Sequence, residues 1–292
     1  MAYSRPIGGD DLVVTFYGVR GSTPCNGPEV ARYGGNTSCV AVEIPGQPPV
    51  LFDLGTGLRY FGRTCPDDQP LKASCLIGHL HWDHIQGLPF FQPLLREGGE
   101  FHIYAPMQED GRSAYDVLKS TITPPMFPVE LHGIPSSLHF HDIVDADFTI
   151  GSADSPVSVM ARRVPHVGLA LGYRVTWGGV SVTYLSDHQQ PQGGFFADSS
   201  VRELCEGTDL LIHDAQYLPH EFASKADWGH CTAEFAVWLA EETGVRRLAL
   251  FHHDPDHDDD CVDEILASAR AMATTVDVIA ASERTSVTVP AR

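Results

Sequence analysis

The sequence predicts an α/β protein in which two β-sheets pack face to face and helices cover their outer sides. Three features of the chain support this fold class. Strand-like apolar runs come first, helix-like runs follow, and the two kinds then alternate towards the end. Because no stretch has the composition of a linker, we expect the 292 residues to form a single domain, with its core between about residues 12 and 275.

The predicted strands are short apolar runs bounded by Gly, Pro or polar residues. In chain order they cover residues 12–17, 39–44, 50–53, 73–78, 101–105, 157–164, 171–177, 180–186, 209–213 and 248–251. The predicted helices cover residues 113–121, 199–206, 232–243 and 260–273. The clearest helix begins at Thr232, a good N-cap residue, and is followed by Gly244, a residue type that ends helices.

Residues 107–164 are predicted to be the irregular part of the chain. They contain the motif TPPMFP, and its consecutive prolines at 124–125 exclude a helix there. The segment is interpreted as an excursion that covers the site or forms a subunit contact. A plain surface crossover is an equally good interpretation.

The composition limits the classes of partner. The formal net charge is −19, from 19 basic and 38 acidic residues, and such a balance opposes binding to a long nucleic acid. No run of about 18 apolar residues is present to cross a membrane. No apolar signal segment begins the chain, and the seven cysteines form no CxxC pair, so we expect a cytoplasmic protein with reduced thiols. The five aspartates between positions 254 and 260 are interpreted as a solvated loop.

The segment HLHWDH, which runs from His79 to His84, is the most informative part of the sequence. It directly follows the predicted strand at 73–78, and the ends of core strands are where α/β proteins place their sites. His79 and His81 are two residues apart, so they project the same way from an extended segment and can bind one ion. Asp83 and His84 can turn toward a second ion. Imidazole and carboxylate ligands suit zinc, manganese or iron(II).

Further residues of ligand type follow three later predicted strands. His166 comes after 157–164, Asp187 after 180–186, and His252 after 248–251. One such residue alone is most simply a polar strand end, but three of them downstream of HLHWDH favour a shared site for two metal ions. His253 competes with His252 for the last position, and we choose His252 because it follows its strand directly.

The order HxHxDH, His, Asp, His resembles that of the metallo-β-lactamase superfamily, in the branch that contains ribonuclease Z and cyclic phosphodiesterases. The segments FYGVRGSTP at 16–24, YGGNTSC at 33–39 and DLGTG at 53–57 resemble the glycine loops and early turn of that branch. The resemblance implies a four-layer αββα sandwich of two mixed β-sheets flanked by helices. It also implies two divalent metal ions, with zinc expected first and manganese or iron(II) as alternatives.

The resemblance assigns a role to each ligand. The first ion would be bound by His79, His81 and His166, and the second by Asp83, His84 and His252, with Asp187 bridging both. Around these ligands, Asp53 would hydrogen-bond an imidazole. His213, Asp214 and Asn36 are expected beside the ligands or the substrate.

Two later segments indicate more closely which members of the branch the chain resembles. LIHDAQ at 211–216 resembles the His-Glu-Ala-Thr segment of ribonuclease Z, and GHCT at 229–232 resembles its His-Ser-Thr loop. The resemblance implies that His230 contacts the phosphate or assists the leaving oxygen, and that Asp83 orients the nucleophile. Arg20 and the amides of Gly34 and Gly35 are interpreted as turn residues rather than phosphate ligands.

The resemblance implies a metal-dependent hydrolase that cleaves a phosphodiester with a hydroxide bridging the two ions. Ribonuclease Z grips tRNA with a long arm between the third ligand His and the bridging Asp. Here only residues 167–186 separate His166 from Asp187, and two strands with a Gly-Gly turn fill them. We therefore expect a small anionic substrate, such as a cyclic nucleotide or related cyclic phosphate.

Three alternatives stay open at this point. The first is a ribonuclease Z-type endonuclease that processes tRNA 3′ ends. The second is a lactone or thioester hydrolase of the same superfamily, and the third is a non-catalytic member that binds a nucleotide or protein. Relatives in the branch often form dimers, so a homodimer is an open expectation.

Overall fold

The computed structural model describes residues 11–291, which form fourteen strands and seven α-helices. The strands in chain order are β1 (Leu12–Gly18), β2 (Cys39–Glu43), β3 (Val50–Phe52), β4 (Lys72–Leu76), β5 (Glu100–Pro106), β6 (Ser137–Ile143), β7 (Ala146–Ile150), β8 (Val157–Val164), β9 (Ala170–Trp177), β10 (Val180–Leu185), β11 (Leu210–Asp214), β12 (Arg247–Phe251), β13 (Asp277–Ala280) and β14 (Ser286–Val289).

The helices are short and lie between the strands. They are α1 (Leu58–Gly62), α2 (Trp82–Ile85), α3 (Ala114–Thr121), α4 (Ser199–Cys205), α5 (Pro219–Lys225), α6 (Ala233–Glu242) and α7 (Asp259–Met272). Within residues 11–291, none of them has the length and apolar character needed to cross a membrane.

The strands form two mixed sheets of seven strands each. The first has the order β14-β1-β2-β3-β4-β5-β6 and the second the order β13-β12-β11-β10-β9-β8-β7. In the first sheet β3 to β6 are parallel, and in the second β10 to β13 are parallel. The carboxyl ends of these parallel strands create the edge at which later residues can converge.

Three separate hydrophobic cores show that the molecule has four layers. The first core lies between the sheets, where the Phe52 and Tyr184 rings stack with centroids 4.6 Å apart. The second lies under α1 and α3, around Leu58 and Leu118, and the third lies under α4, α6 and α7. Each sheet therefore buries both faces, which confirms the predicted αββα sandwich.

All ten predicted strands and all four predicted helices are present, with small shifts at their ends. The predicted N-cap at Thr232 is confirmed, since its hydroxyl accepts from the backbone N–H of Phe235 at 3.3 Å. Gly244 has φ +67°, as expected of a residue that ends a helix. The elements not predicted are β6, β7, β13, β14 and the short helices α1, α2 and α5.

The segment 107–164 is more regular than predicted. Besides α3 and β8 it contains β6 and β7, which add an outer strand to the first and second sheet respectively. Their side chains alternate in exposure and include His and Asp, so they lack the apolar run that identifies a core strand. β13 and β14 likewise extend the fold beyond the predicted core limit near residue 275.

Arg20 holds the aspartate-rich loop against the first glycine loops. Its guanidinium is fully buried and donates to the carbonyls of Gly34 at 2.7 Å, Asp254 at 2.9 Å and His257 at 2.7 Å. Asp254 and Asp259 are buried as well, so the interpretation of this run as a solvated loop is wrong for two of its members. Because Arg20 is committed to carbonyl groups, its interpretation as a turn residue agrees with the structure.

Glu241 near the end of α6 fixes the connection from α7 to β13. Its Oε1 accepts from the backbone N–H groups of Thr274 at 2.6 Å, Thr275 at 2.8 Å and Val276 at 3.2 Å. Its Oε2 accepts from the hydroxyls of Thr274 and Thr275. Burial opposes the charge, but the hydrogen bonds from Thr275 and from the backbone outweigh it and lower the pKa of Glu241 to about 2.

We expect Glu241→Ala to lower the free energy of unfolding by about 2 kcal/mol, because several donors lose a charged acceptor. The neighbouring Glu242→Ala is the control and should change the free energy by less than about 0.5 kcal/mol, since Glu242 has only a loose contact with Arg202 at 3.8 Å. Urea unfolding at pH 7 measures both. Equal effects of the two substitutions would contradict the role given to Glu241.

The comparison of the wild type with Glu241→Ala also predicts how the stabilising effect of Glu241 depends on pH. A folded-state pKa below the ordinary value of 4.5 means that the stabilising effect of Glu241 is complete above pH 4.5 and is lost as the pH falls towards about 2. The stability difference between the wild type and Glu241→Ala should therefore shrink over that interval. A difference that is constant from pH 7 to 3 would show that the carboxylate charge is not involved.

Candidate metal centre

The candidate ligands meet where strands of both sheets end. In the first sheet, His79 lies three residues after β4, and His81 is the N-cap of α2, whose first turn carries Asp83 and His84. In the second sheet, His166 follows β8, Asp187 follows β10 and His252 follows β12. The structure therefore brings the seven residues together, and their role as metal ligands stays a prediction.

His79, His81 and His166 form the first group, and one ring nitrogen from each lies within 4.8 Å of the others. His166 Nδ1 donates to the carbonyl of Gly229 at 2.8 Å, which leaves Nε2 as a lone-pair atom facing the group. That Nε2 is 3.4 Å from His81 Nδ1. Two imidazole nitrogens that face each other in this way suit a shared cation.

Asp83, His84 and His252 form the second group on the same criterion. Asp83 Oδ2 is 3.1 Å from His84 Nε2 and 3.3 Å from His252 Nε2. The far nitrogens are fixed by outer partners, because His84 Nδ1 donates to Asp53 at 2.7 Å and His252 Nδ1 donates to Gln216 Oε1 at 2.9 Å. Each imidazole is therefore oriented with its Nε2 toward the group.

Asp187 lies between the two groups. Its Oδ1 is 3.7 Å from His79 Nε2 and 3.9 Å from His166 Nε2. Its Oδ2 is 3.2 Å from His84 Nε2 and 3.6 Å from His252 Nε2. One oxygen faces each group, which is the geometry of a bridging carboxylate.

The donor atoms at the centre are suited to divalent cations. Four buried atoms at this centre have no hydrogen-bond partner among residues 11–291, and they are His79 Nδ1, His79 Nε2, His84 Nε2 and Asp187 Oδ2. A buried polar atom without a partner is costly, and ions bound at the two groups would satisfy three of these four directly. Imidazole and carboxylate donors of this number match the chemistry of zinc, manganese and iron(II).

The protonation of His79 and Asp187 agrees with this fit. Burial lowers the pKa of His84, but the carboxylates of Asp83, Asp187 and Asp53 outweigh it and raise that pKa well above its usual value. Burial, reinforced by the neighbouring His84, lowers the pKa of His79 well below its usual value, so its imidazole is neutral. Burial works against the charge of Asp187, but His252, His84 and His79 outweigh it and lower the pKa of that carboxyl. Neutral imidazole and ionised carboxylate are the forms that bind metal ions.

Asp53 supports the second group from the outside, as predicted. Its Oδ2 accepts from His84 Nδ1 and from the Tyr184 hydroxyl at 2.6 Å, and its Oδ1 accepts from the Gly78 backbone at 2.8 Å. Asp53 and His252 both have left-handed backbone conformations, with φ of 58° and 59°. Non-glycine residues adopt this conformation at a cost, and such residues cluster at functional sites.

His230 stands beside the metal ligands at the start of α6 and is held by Asp214. Its Nδ1 donates to Asp214 Oδ2 at 2.8 Å, so its Nε2 is the free nitrogen. Burial opposes a charge on His230, but Asp214 outweighs it and raises the pKa of His230 above its usual value. The imidazolium form is therefore more stable than in a free histidine, and this form can donate a proton.

His213 lies further from the centre than His230 and contacts Asp214. Its Nδ1 donates to the carbonyl of Asp214 at 2.7 Å, and its Nε2 accepts from His188 Nδ1 at 3.0 Å. Asp214 in turn accepts from the backbone N–H groups of His188 and Gln216. His213 and Asp214 thus lie behind His230, in agreement with their predicted positions near the ligands.

Two residues considered in the sequence have partners outside the cluster. The side-chain amide of Asn36 donates to Glu283 at 2.9 Å, so the expectation that Asn36 contacts ligands or substrate finds no support. His253 Nε2 donates to the carbonyl of Ala281 at 2.9 Å, which leaves His252 as the residue in the cluster.

Three supporting groups were not predicted. Gln216 orients His252, the Gly229 carbonyl orients His166, and the Ser22 backbone N–H donates to Asp83 Oδ2 at 2.8 Å. Gly229 has no room for a side chain, since an added Cβ would lie 2.4 Å from the His166 ring. Gln216 and Gly229 lie in segments that carried a family resemblance, but their partners are set only by the tertiary fold.

A pocket of about 440 Å³ opens beside the cluster and gives access to His81 and His230. Tyr217, Lys225 and Trp228 line it together with several aspartates, which are Asp227, Asp254 and Asp256. The Trp228 side chain is 60% exposed, and Lys225 Nζ lies between the Tyr217 and Trp228 rings while contacting Asp254 at 3.4 Å.

Comparison with known proteins agrees with this architecture. A ribonuclease Z from Synechococcus sp. (strain CC9311) is 26% identical to the chain, over 84% of this chain and 88% of the relative. The crystal structure of the metallo-β-lactamase fold protein YhfI from Bacillus subtilis is 19% identical, with a TM-score of 0.70, and covers 96% of this chain and 99% of its own. The short form of human tRNase Z is 22% identical, with a TM-score of 0.65 and coverage of 95% and 99%.

The family assignment comes from a match to the family model. The model for the β-lactamase superfamily domain matches residues 50–253, a span that includes every candidate ligand from His79 to His252. The same span contains β3 to β12, the greater part of both sheets. The protein therefore belongs to the metallo-β-lactamase superfamily, with ribonuclease Z among its relatives.

Proposed function

We propose that the protein is a phosphodiesterase that depends on two divalent metal ions, and that zinc is the expected metal. The single observation that carries this proposal is the position of Asp187, with one oxygen facing each of two ligand groups. The proposed ligands of the first ion are His79, His81 and His166, those of the second are Asp83, His84 and His252, and Asp187 would help to hold both.

The metal ions, when bound, would lower the pKa of a water molecule and neutralise charge on the phosphate oxygens. The chain's own residues supply the rest. Asp83 is held by the Ser22 amide and orients the attacking oxygen. His230, whose imidazolium form is stabilised by Asp214, would donate a proton to the leaving oxygen through Nε2. A phosphodiester needs this donor because an alkoxide is a poor leaving group.

The pocket supports a small substrate rather than a long nucleic acid. Lys225 is the only lysine or arginine lining it in the described chain, and it is already paired with Asp254. Asp227 and Asp256 add negative charge that would repel a phosphate backbone. The exposed ring of Trp228 offers a surface on which one base can stack. We therefore propose a cyclic nucleotide or related cyclic phosphate as substrate.

A second candidate function is cleavage of tRNA at its 3′ end. It is favoured by the relative named ribonuclease Z, which matches over most of the chain. Against it stands the segment between His166 and Asp187, which forms β9, a Gly178-Gly179 turn and β10, and so has no room for an arm.

The cellular setting is part of the proposal. All seven cysteines lie within the described residues and are unpaired, which supports a reducing, cytoplasmic location. A homodimer stays a prediction, to be tested by light scattering on the purified protein.

We expect His79→Ala to lower the zinc content of the purified protein by at least one ion per chain, because His79 loses two buried nitrogens that have no other partner. His220→Ala is the control, since His220 is an exposed residue of α5. Elemental analysis after gel filtration measures both. Unchanged zinc in His79→Ala would refute the assignment of the first group.

We expect His230→Ala to keep its metal and to lose about 10²- to 10⁴-fold in kcat, because the leaving oxygen loses its proton donor. The loss should be greater for a cyclic nucleotide than for bis(p-nitrophenyl) phosphate, whose nitrophenolate leaves without a proton. Asp214→Asn should lower kcat with the same dependence on leaving group, because Asp214 acts through His230. Equal losses on both substrates would show that His230 is not the proton donor.

We expect turnover of 3′,5′-cyclic nucleotides or 2′,3′-cyclic phosphates, and none of a tRNA with a 3′ extension, when all are assayed with zinc and with manganese. Trp228→Ala should raise KM for the cyclic nucleotide about tenfold through loss of base stacking. Phe196→Ala is the matched control, because Phe196 is 55% exposed and does not line the pocket. Cleavage of the tRNA without turnover of any cyclic phosphate would establish the second candidate instead.

A further inference from the structure

Three histidines and a glutamate occupy the face of the first sheet that turns toward the second sheet. On β5, Phe101 and Ile103 are buried under the helices, so the alternation of a strand places Glu100 and His102 on the opposite face. That face elsewhere builds the apolar core between the sheets. At this edge the face is partly open to solvent, since the side chains of His102 and Glu100 are 31% and 42% exposed and His139 is exposed, so an ion can reach them.

The neighbouring strand β6 presents two more histidines on the same face. The register pairs His102 with His139 and Tyr104 with His141. The rings form a continuous stack, with centroids 4.6 Å apart for His102 and His139 and 4.3 Å apart for Tyr104 and His141. The imidazoles are therefore held in fixed positions before any ligand arrives.

The donor atoms of this group converge on one point. One atom each from Glu100, His102 and His139 lies within 4.8 Å of the others, and Glu100 Oε1 is 3.1 Å from His102 Nε2. His102 Nδ1 is hydrogen-bonded to His141 Nε2 at 3.0 Å. This arrangement leaves His102 Nε2 to face the carboxylate, with His141 as the outer partner that fixes the ring.

The group is separate from the metal centre described above. His102 pairs with Ser74 on β4, five residues before His79, which corresponds to roughly 15 Å along the strand. A cavity of about 190 Å³ lies beside it, between the sheets, lined by Glu100, His102, Ile150 and Val157. A bound ion would therefore be reached from the open end of the sandwich rather than through the catalytic pocket.

We propose that Glu100, His102 and His139 form an additional site for a divalent transition-metal ion such as zinc. Two imidazoles and one carboxylate are a known donor set for such ions, and water would complete the coordination. His141 is a positioning residue that acts through His102. Lys72 Nζ lies 3.4 Å from Glu100 Oε2, which turns Oε1 toward the histidines.

The contact with His141 leaves His102 with a ring nitrogen that can bind a metal ion. His141 Nε2 lies 3.0 Å from His102 Nδ1 and can accept its N–H. With its Nδ1 proton committed in this way, His102 has its lone pair on Nε2. The site would tie β5 to β6 at the edge of the first sheet.

The test is the zinc content of the full-length protein after dialysis against zinc buffered at a fixed free concentration. We expect His102→Ala and His139→Ala each to hold one zinc ion fewer per chain than the wild type. His132→Ala is the matched control, because His132 also contacts a glutamate, Glu130, at 3.1 Å but belongs to none of the candidate metal groups. Circular dichroism checks that all variants are folded.

Equal zinc contents in the wild type, His102→Ala and His132→Ala would overturn the proposal. A second variant tests the outer partner, since His141→Ala should weaken zinc binding on the order of tenfold while the site is retained. Because none of these residues belongs to the catalytic cluster, hydrolysis of bis(p-nitrophenyl) phosphate should be unchanged in every variant. Loss of hydrolysis together with zinc would assign the missing ion to the catalytic centre and reject the additional site.

Discussion

The arrangement of the candidate metal centre depends on how the charge of one buried carboxylate is compensated. Asp187 is 4% exposed and stands at the meeting point of imidazoles from both sheets. A buried charge is tolerated only where opposite charge or hydrogen-bond donors surround it. Asp53 and Asp214 are buried too, but each accepts three or more hydrogen bonds from neighbouring groups. Of these three aspartates, only Asp187 has a buried oxygen without a hydrogen-bond partner among the described residues, and a bound cation would compensate its charge.

The two sheets contribute to this centre from opposite sides. The first sheet supplies the HLHWDH segment and Asp53, and the second supplies His166, Asp187, Asp214 and His252. The site therefore exists only when the apolar core between the sheets is packed, with Phe52 and Tyr184 stacked beneath it. Tyr184 connects the core between the sheets to the site directly, because its ring belongs to that core and its hydroxyl donates to Asp53. Core packing and ligand geometry are thus coupled through a single side chain.

The convergence of the candidate ligands could be predicted because they lie after apolar runs that identify strands, and strand ends converge at one edge of a sheet. The outer partners could not, since the contacts of Gln216, Tyr184 and the Gly229 carbonyl join residues far apart in sequence and leave no local pattern. The same limit applies to Arg20, whose three carbonyl partners lie in two distant loops. Edge strands β6 and β7 escaped prediction for a different reason, because one face of each carries polar side chains.

The left-handed backbone at Asp53 and His252 has a consequence for evolution of the fold. Each conformation costs on the order of 1 kcal/mol or more, and glycine would remove that cost. A lineage released from the need for catalysis would gain stability by replacing either residue, so drift at these two positions should be an early mark of lost activity.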